Sequence, residues 1–454
     1  MTHVAAATDL KAHVARTIDA HAAELEALAR QIFAAPELGF KEHQTARRVH
    51  SWFDRLGLAH QDGLAITGSK AYLDGGAPGP TVAILGELDS LLCWEHPDHD
   101  PQTGAVHACG HNAQIATMLG AALGLQVVAP QLAGRIALMA VPAEEYIELE
   151  ERIGMRDQGQ LEFLGGKAEL IRLGAFDDVG IAMMVHATAR PEDGAMAVGG
   201  TNNGMVAKFV RFLGLTSHAG GAPEKGINAL SAARVALAGI DAIRETFRDE
   251  DHIRVHPIVT RGGDVVNAIP ADVRLELFCR GASLEAIELA HRKVDRALKA
   301  GALALGAAVE ITTLPGYLPL HHEPTLVQLF RANAVEVVGA ENVRDRGHGG
   351  GSTDMGDVSH ILPSVHPYAG GAVGAGHGAD YRIQDYTKAV VNPARALAMT
   401  VVDLLSDDAR QARQVVAEFQ PKMTRDEYLA YLRRMTRKEL WRAEEEPAGP
   451  SSSC

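Results

Sequence analysis

Apolar runs separated by a helical pattern, followed by a stretch that reads strand, helix, strand, strand, helix, strand, predict an α/β protein. One open-sheet domain carries a second, smaller domain inserted into it. The chain is long enough for both, since 454 residues exceed what one ordinary core supports.

In chain order, Leu10, Val14, Ile18, Leu25, Leu28 and Ile32 fall on one apolar stripe. They predict an N-terminal helix and not a signal peptide, because Asp9, Lys11, Arg16 and Asp19 interrupt any apolar run. Residues 81–86 (Thr-Val-Ala-Ile-Leu-Gly) predict a buried strand, with 86–89 as the loop at its C-terminal end. Ile115, Met118, Leu119, Ala122 and Leu123 then recur at helical spacing. Residues 134–141 read as the next strand, with Glu144 and Glu145 just past its end, and a strand over 179–185 ends at His186. Polar residues at strand ends are where an open α/β sheet binds ligands.

The inserted part follows. Strands are expected near 204–215, 253–261, 272–280 and 307–313, and helices near 225–247 and 284–304. The order β-α-β-β-α-β is ferredoxin-like, and Gly199-Gly200 and Pro315-Gly316 flank it as hinges. The expected boundaries are 1–200 and 315–420 for the two parts of the larger domain and 201–314 for the insertion. Residues 421–454 form a C-terminal helix and tail. That helix spans 424–442, with Tyr428, Leu432 and Trp441 as anchors, and residues 445–454 are too polar to order.

Composition narrows the class. Hydrophobic residues make up 46% and charged residues 22%, as in a globular protein. A net charge of −14 argues against a general nucleic-acid or anionic-membrane binder. No run of 18 uninterrupted apolar residues suggests a membrane span. Four scattered cysteines (Cys93, Cys109, Cys279, Cys454) do not form a disulfide framework, and a reducing cytoplasm is the expected location.

Chemistry concentrates in His107-Ala108-Cys109-Gly110-His111-Asn112 and Pro142-Ala143-Glu144-Glu145. A thiolate, imidazoles and paired carboxylates are what a water-activating metal centre uses. Cys109 and His111 sit at a loop-to-helix junction, where a helix N-terminus favours the thiolate. Of two adjacent carboxylates, one can ligate metal while the other faces substrate as a base. Asp89, in Gly-Glu-Leu-Asp-Ser, can orient a ligand histidine. His186 ends a strand, His377 lies in a glycine-rich loop, and His218 lies in the inserted domain with potential to bond a developing oxyanion. Each has an ordinary structural reading when taken alone: a buried Cys beside a satisfied His, a solvated acidic turn, a capping Asp, a turn His.

Together, and in this order, the motifs resemble the M20 metallopeptidase and amidohydrolase family, in particular the branch of bacterial aminobenzoyl-glutamate and hippurate hydrolases and plant auxin-conjugate hydrolases. The resemblance covers roughly 20–405. It rests on residues 107–112, 142–145 and 217–219, on Val266-Asn267-Ala268-Ile269-Pro270 and on Gly351-Ser352-Thr353-Asp354. It implies a zinc-peptidase-like α/β catalytic domain with an inserted ferredoxin-like lid and dimerisation domain. Cys109 would bridge two divalent metals, with His111, Glu145, His186 and His377 as the other ligands. Glu144 would be the general base and Asp89 the carboxylate behind the ligands. His218 and Asn267 would reach the substrate from the lid, across a dimer interface. Arg280 would meet a substrate carboxylate.

The chain also departs from the family pattern. Gln114 stands where a second histidine is common. Residues 90–100 are rich in His and Asp and carry Trp94, a candidate contact for an aromatic substrate. The Gly-Lys/Arg-Gly lead before His218 is missing. The implied activity is metal-dependent hydrolysis of a C–N bond, an amide of an N-acyl or aminobenzoyl amino acid. The metals would be zinc or manganese, with cobalt or nickel also compatible. The alternatives are an aminohydrolase acting on an aromatic amine such as a nitro-substituted aminobenzoate, and a non-catalytic metal-binding scaffold. Retention of Glu144 with every matched ligand argues against the scaffold.

Overall fold

A computed structural model describes residues 7–442. Its central sheet has six strands in the order His60–Leu64, Gly68–Asp74, Ala133–Val141, Ala77–Glu87, Ile181–Met183, Ser364–Val365. The last four run parallel and the first two antiparallel. Ala77–Glu87 and Ala133–Val141, side by side near the middle, are buried along most of their length, as strands covered on both faces must be.

One face is covered by the helix His111–Gln126, whose residues from His111 to Leu125 are all buried. A helix apolar all round belongs in a core. Around it pack the N-terminal helices and Asn392–Glu418. That C-terminal helix has an apolar window long enough to cross a membrane, yet 78% of the window is buried in this core. The N-terminal stripe is two helices, Ala7–Ala20 and Ala22–Phe33, not one. The chain turns at His21, whose ring bonds the Thr17 carbonyl at 2.9 Å, and Val14, Ile18 and Leu25 remain buried on both sides of the break.

The inserted unit has strands Gly204–Leu213, Arg254–Arg261, Asp272–Gly281 and Ala308–Pro315 and helices Ala229–Ala242 and Leu284–Leu305. Asp272–Gly281 alternates buried and half-buried residues, with Val273, Leu275, Leu277 and Cys279 facing the two helices. Ser283 caps the second helix by accepting from Ala286 N, and Gly306 closes it in a left-handed conformation.

The expected C-terminal helix over 424–442 is corrected. The helix ends at Met435, and Arg437–Arg442 is a strand pairing antiparallel with Ala308–Pro315 as the fifth strand of the inserted sheet. Tyr428 and Leu432 are buried against the larger domain, whereas Trp441 packs on the inserted core. The run Arg-Lys-Glu-Leu-Trp-Arg alternates at period two, a pattern that a helical reading averages away. The polar tail expected over 445–454 lies outside the described residues.

Candidate metal centre and cleft

Three chain segments converge at the C-terminal ends of the central strands. The first is the turn into the helix His111–Gln126. Gly110, at φ 97°, takes a left-handed conformation, and a Cβ there would stand 2.6 Å from the Tyr381 hydroxyl. Glycine alone fits, so Cys109 and His111 are presented on either side of a fixed turn. Tyr381 donates to the Cys109 carbonyl at 3.0 Å.

The second segment follows Ala133–Val141. Ala143, at φ 50°, is strained. Its N–H is held by the buried Glu42 carboxylate at 2.8 Å, and Glu42 also accepts from Thr67 at 2.6 Å. The strained turn is where the chain leaves its strand and sets up Glu144 and Glu145. Burial, with Asp89 nearby, pushes Glu42 up to about 7.

The third segment carries Asp89, fully buried, which ties the other two together. Its Oδ2 accepts from Glu145 N at 2.8 Å. His111 Nδ1 lies 2.9 Å from its carbonyl and 3.2 Å from Oδ1. Burial, the largest single effect, would raise this carboxyl, but the bond to His111, the charge of His111, the Glu145 N–H and Arg152 together outweigh it and hold Asp89 below its usual value. With Nδ1 engaged, His111 presents Nε2 to the site.

The donor atoms form two trios that share a thiol. Cys109, His111 and His186 lie within 4.8 Å of one another, and so do Cys109, Glu145 and His377. Cys109 Sγ is 3.3 Å from His186 Nε2, and His377 Nε2 is 3.3 Å from Glu145 Oε1. His111 Nε2 and Glu145 Oε1 are buried and, although Glu87 and His377 lie 3.0 and 3.3 Å from them, make no well-aligned hydrogen bond. Burial, then Glu145, pushes the Cys109 thiol up, so the protein alone favours the neutral form. A divalent cation inverts that logic, since a coordinating thiol is deprotonated. Orphaned donors, mixed soft and borderline ligands and a bridging thiol fit two such ions.

Glu144 belongs to neither of these two trios, but its carboxylate lies within 4.8 Å of donor atoms of Glu87 and His111. Its Oε2 is 3.9 Å from His111 Nε2, and burial, reinforced by Glu87, Glu145 and Asp354, pushes it well above the ordinary carboxylate value. Tyr317 donates to its backbone carbonyl.

The sequence reading missed Glu87, which lies on the strand and not in the following loop. It is fully buried, with Oε2 3.0 Å from His111 Nε2 and Oε1 2.6 Å from Lys167 Nζ. Lys167 also meets Asp354 at 2.5 Å. One ammonium neutralises only one of two carboxylates. Burial would raise Glu87, but Lys167 and then His111 bring it down to about 2, while burial leaves Asp354 at about 6. Gln114 makes both ends of its amide useful here, donating to Glu87 Oε2 at 3.0 Å and accepting from Glu87 N at 2.9 Å. A charged residue closing an apolar strand was the one available signal for Glu87. Lys167, amid an ordinary helical pattern, offered none.

The centre opens into a cleft of about 660 Å³ between the two units, lined by Cys109, Glu144, Glu145, His186 and His377 on one side. Arg280 lines it from the inserted sheet and donates to Ser352 Oγ at 2.9 Å. His366 also lines it, buried beside His186 with neither ring nitrogen bonded. A depression of about 820 Å³ elsewhere is lined by no cysteine or histidine.

Three expected contacts are not brought to this cleft. Trp94 is 55% exposed, packs edge-on against His99, and neither it nor any other residue of 90–100 lines the cleft. The loop folds on itself through Asp100, which accepts from Gln102 N and Thr103 N, and anchors through His96 on the Tyr381 carbonyl. His218 and Asn267 lie together on the inserted unit, His218 bridged to Ala268, and neither lines the cleft of its own chain.

Residues 83–401 match the profile of Peptidase family M20/M25/M40. The Xaa-Arg dipeptidase of Mus musculus is 29% identical over 443 residues, covering 92% of this chain and 94% of that protein. The indole-3-acetyl-aspartic acid hydrolase of Enterobacter agglomerans is 31% identical over 291 residues, 62% of each. A crystal structure of a dinuclear metal-binding M20 peptidase from Bacillus subtilis shares the fold at TM-score 0.60 and 20% identity, over 85% of this chain and 99% of that one.

Proposed function

Because the chain belongs to peptidase family M20/M25/M40 and is a hydrolytic enzyme, we propose that it hydrolyses the amide bond of an N-acyl amino acid at a two-metal centre. The observation that carries this reading is the pair of donor trios sharing Cys109, with Glu144, outside both, beside them on the cleft wall. Zinc or manganese held by Cys109, His111, His186, Glu145 and His377 would supply Lewis acidity and lower the pKa of water towards neutrality. Glu144 takes the proton of the attacking water and returns it to the leaving amine. Asp89 keeps His111 and Glu145 oriented, and Arg280 receives the carboxylate of the amino acid.

His218 and Asn267 act from a second copy of the chain. Ile258, Val259, Val265 and Val266, 47–101% exposed on the same unit, are the apolar surface such a copy would cover. The aryl-amine alternative draws on the altered 90–100 loop, no residue of which lines the cleft.

The test is product analysis by mass spectrometry on N-acyl amino acids and substituted aminobenzoates, with zinc- or manganese-loaded protein and its mass in solution recorded. A free amino acid plus a carboxylic acid from a dimer supports the reading; ammonia plus a hydroxyarene replaces it. Glu144→Gln should lower kcat by roughly 10²–10⁴-fold with metal content unchanged. Full activity in that variant would remove Glu144 as the base.

A further inference from the structure

Two side chains of the helix His43–Arg55 and two of the strand His60–Leu64 meet at one edge of the central sheet. His50 and Asp54 are four apart in the helix and share a face. His60 and Asp62 are two apart in the strand and point to the same side of the sheet. His60 stands opposite Ala71 and Asp62 opposite Ser69 in the pairing with Gly68–Asp74. The four polar groups gather beside the buried ring of Phe53, which lies 5.6 Å from that of His60. None of them lines the cleft.

His50, His60 and Asp62 each offer one donor atom, and these atoms lie within 4.8 Å of one another. Asp62 Oδ1 is 3.2 Å from His50 Nε2 and 2.6 Å from His60 Nδ1, and the two imidazole centres are 5.1 Å apart. A tetrahedral zinc with bonds of about 2.0–2.2 Å sets its donor atoms about 3.3 Å apart and two bound imidazole centres about 5 Å apart. The His50 distance and the ring spacing match that geometry as they stand, and the contact from His60 has to open by about 0.7 Å. His50 Nε2 is buried without a well-aligned hydrogen bond. On the far side of its ring, His60 Nε2 lies 3.2 Å from Asp54 Oδ1. A carboxylate so placed holds the proton on Nε2 and leaves Nδ1 free for a metal. Among the described residues neither carboxylate has a lysine or arginine partner. Without a cation, a proton on His60 serves instead: burial opposes it, but the bonds to Asp62 and Asp54 raise His60 above its ordinary value.

We propose that His50, His60 and Asp62 bind a zinc ion separate from the candidate metal centre, with Asp54 orienting His60. Two imidazoles and one carboxylate suit zinc and not calcium or magnesium, which take oxygen ligands. Asp62 is 47% exposed, so water completes the tetrahedron. On binding, the ion replaces the His60 proton, which leaves to solvent. It pins the helix to a strand whose other edge pairs with no strand among the described residues. Because the three ligands come together only when helix and strand are docked, the ion stabilises the folded chain.

The test counts zinc. Chelator-stripped protein is re-equilibrated at micromolar free zinc, and the metal per chain is measured by atomic emission for the parent, His50→Ala and His60→Ala. The parent should hold about one zinc per chain more than either variant, with turnover unchanged in all three. Anomalous diffraction at the zinc edge, from crystals of the loaded parent, should place a peak between His50, His60 and Asp62. Equal zinc counts, or no peak at these residues, would overturn the proposal and leave an ion-pair cluster around a protonated His60. Turnover lost together with the zinc would place the missing ion in the catalytic centre and overturn it as well. The difference between parent and variant reads this site alone, so failure of the two-metal reading changes the total and not the difference. If a variant does not fold, the anomalous map of the parent decides.

Discussion

Asp89→Asn probes the joint on which the site depends. The carboxylate serves two donors at once, Glu145 N–H on Oδ2 at 2.8 Å and His111 Nδ1 near Oδ1 at 3.2 Å. Asparagine keeps the shape but has one acceptor oxygen, so in either flip its amide N–H₂ faces a donor. One bond to a charged acceptor is lost and a buried donor is left unmatched, a cost of about 1.5–3 kcal/mol. Since about 1.4 kcal/mol is tenfold, the expected loss is roughly 10–150-fold in metal affinity. The Asp89 carbonyl, 2.9 Å from His111 Nδ1, survives the substitution and keeps the loss from being larger. Chelator competition on both proteins measures the affinity, and circular dichroism establishes that the variant is folded. A folded Asp89→Asn protein with parental metal affinity and parental kcat would refute the claim that this carboxylate orients His111 and Glu145.

Lys167→Met leaves Glu87 and Asp354 facing each other in a dry interior, so unfolding free energy should fall by about 3–5 kcal/mol in denaturant melts; a loss below about 1 kcal/mol would show that the triad is not a charge lock. Burial and the nearby Asp89 raise Glu42 from the ordinary glutamate value of 4.5 to about 7 in the folded protein. Its contribution is therefore intact below pH 4.5, is lost as pH rises, and is gone above about 7. The neutral variant Glu42→Gln should gain on the parent between pH 5 and 7 by about 1.4 kcal/mol per pH unit, and parallel stability curves over that window would contradict it. Ending the chain before Arg437 removes the edge strand and the ion pair from Arg437 to Asp295 at 2.5 Å. The shortened protein should lose about 1–2 kcal/mol and expose Ala308–Pro315 to faster amide exchange, with metal content unchanged; unaltered exchange there would mean that the strand does not hold the sheet.

The ligand-bearing motifs were legible because they are local. Cys109 and His111 are set two apart by a turn that only Gly110 can make, and Glu144 and Glu145 follow a strand end directly, so short-range geometry predicts the chemistry. The alternation of Asp272–Gly281 and the order of the inserted elements were legible for the same reason: period and sequence survive without knowledge of the fold. The N-terminal break at His21 was not, because the apolar stripe continues through it and only packing shows that two helices share it.

What remained hidden depends on residues far apart in the chain. Lys167 meets Glu87 and Asp354 across 80 and 187 positions, and a buried ion triad has no sequence period. The cleft draws Arg254 and Arg280 from the inserted sheet and Arg346 from the larger domain, so only the folded chain brings these residues into one lining. Trp94 was drawn to the cleft by its residue type and kept out of it by the loop's own hydrogen bonds. Arg437–Arg442 became a strand because Ala308–Pro315 offered an unpaired edge. The sequence by itself determined the element order and the local turns that set the candidate ligands. The tertiary structure alone decided which charges share a low-dielectric interior, because electrostatic energy depends on distance and burial and not on position along the chain.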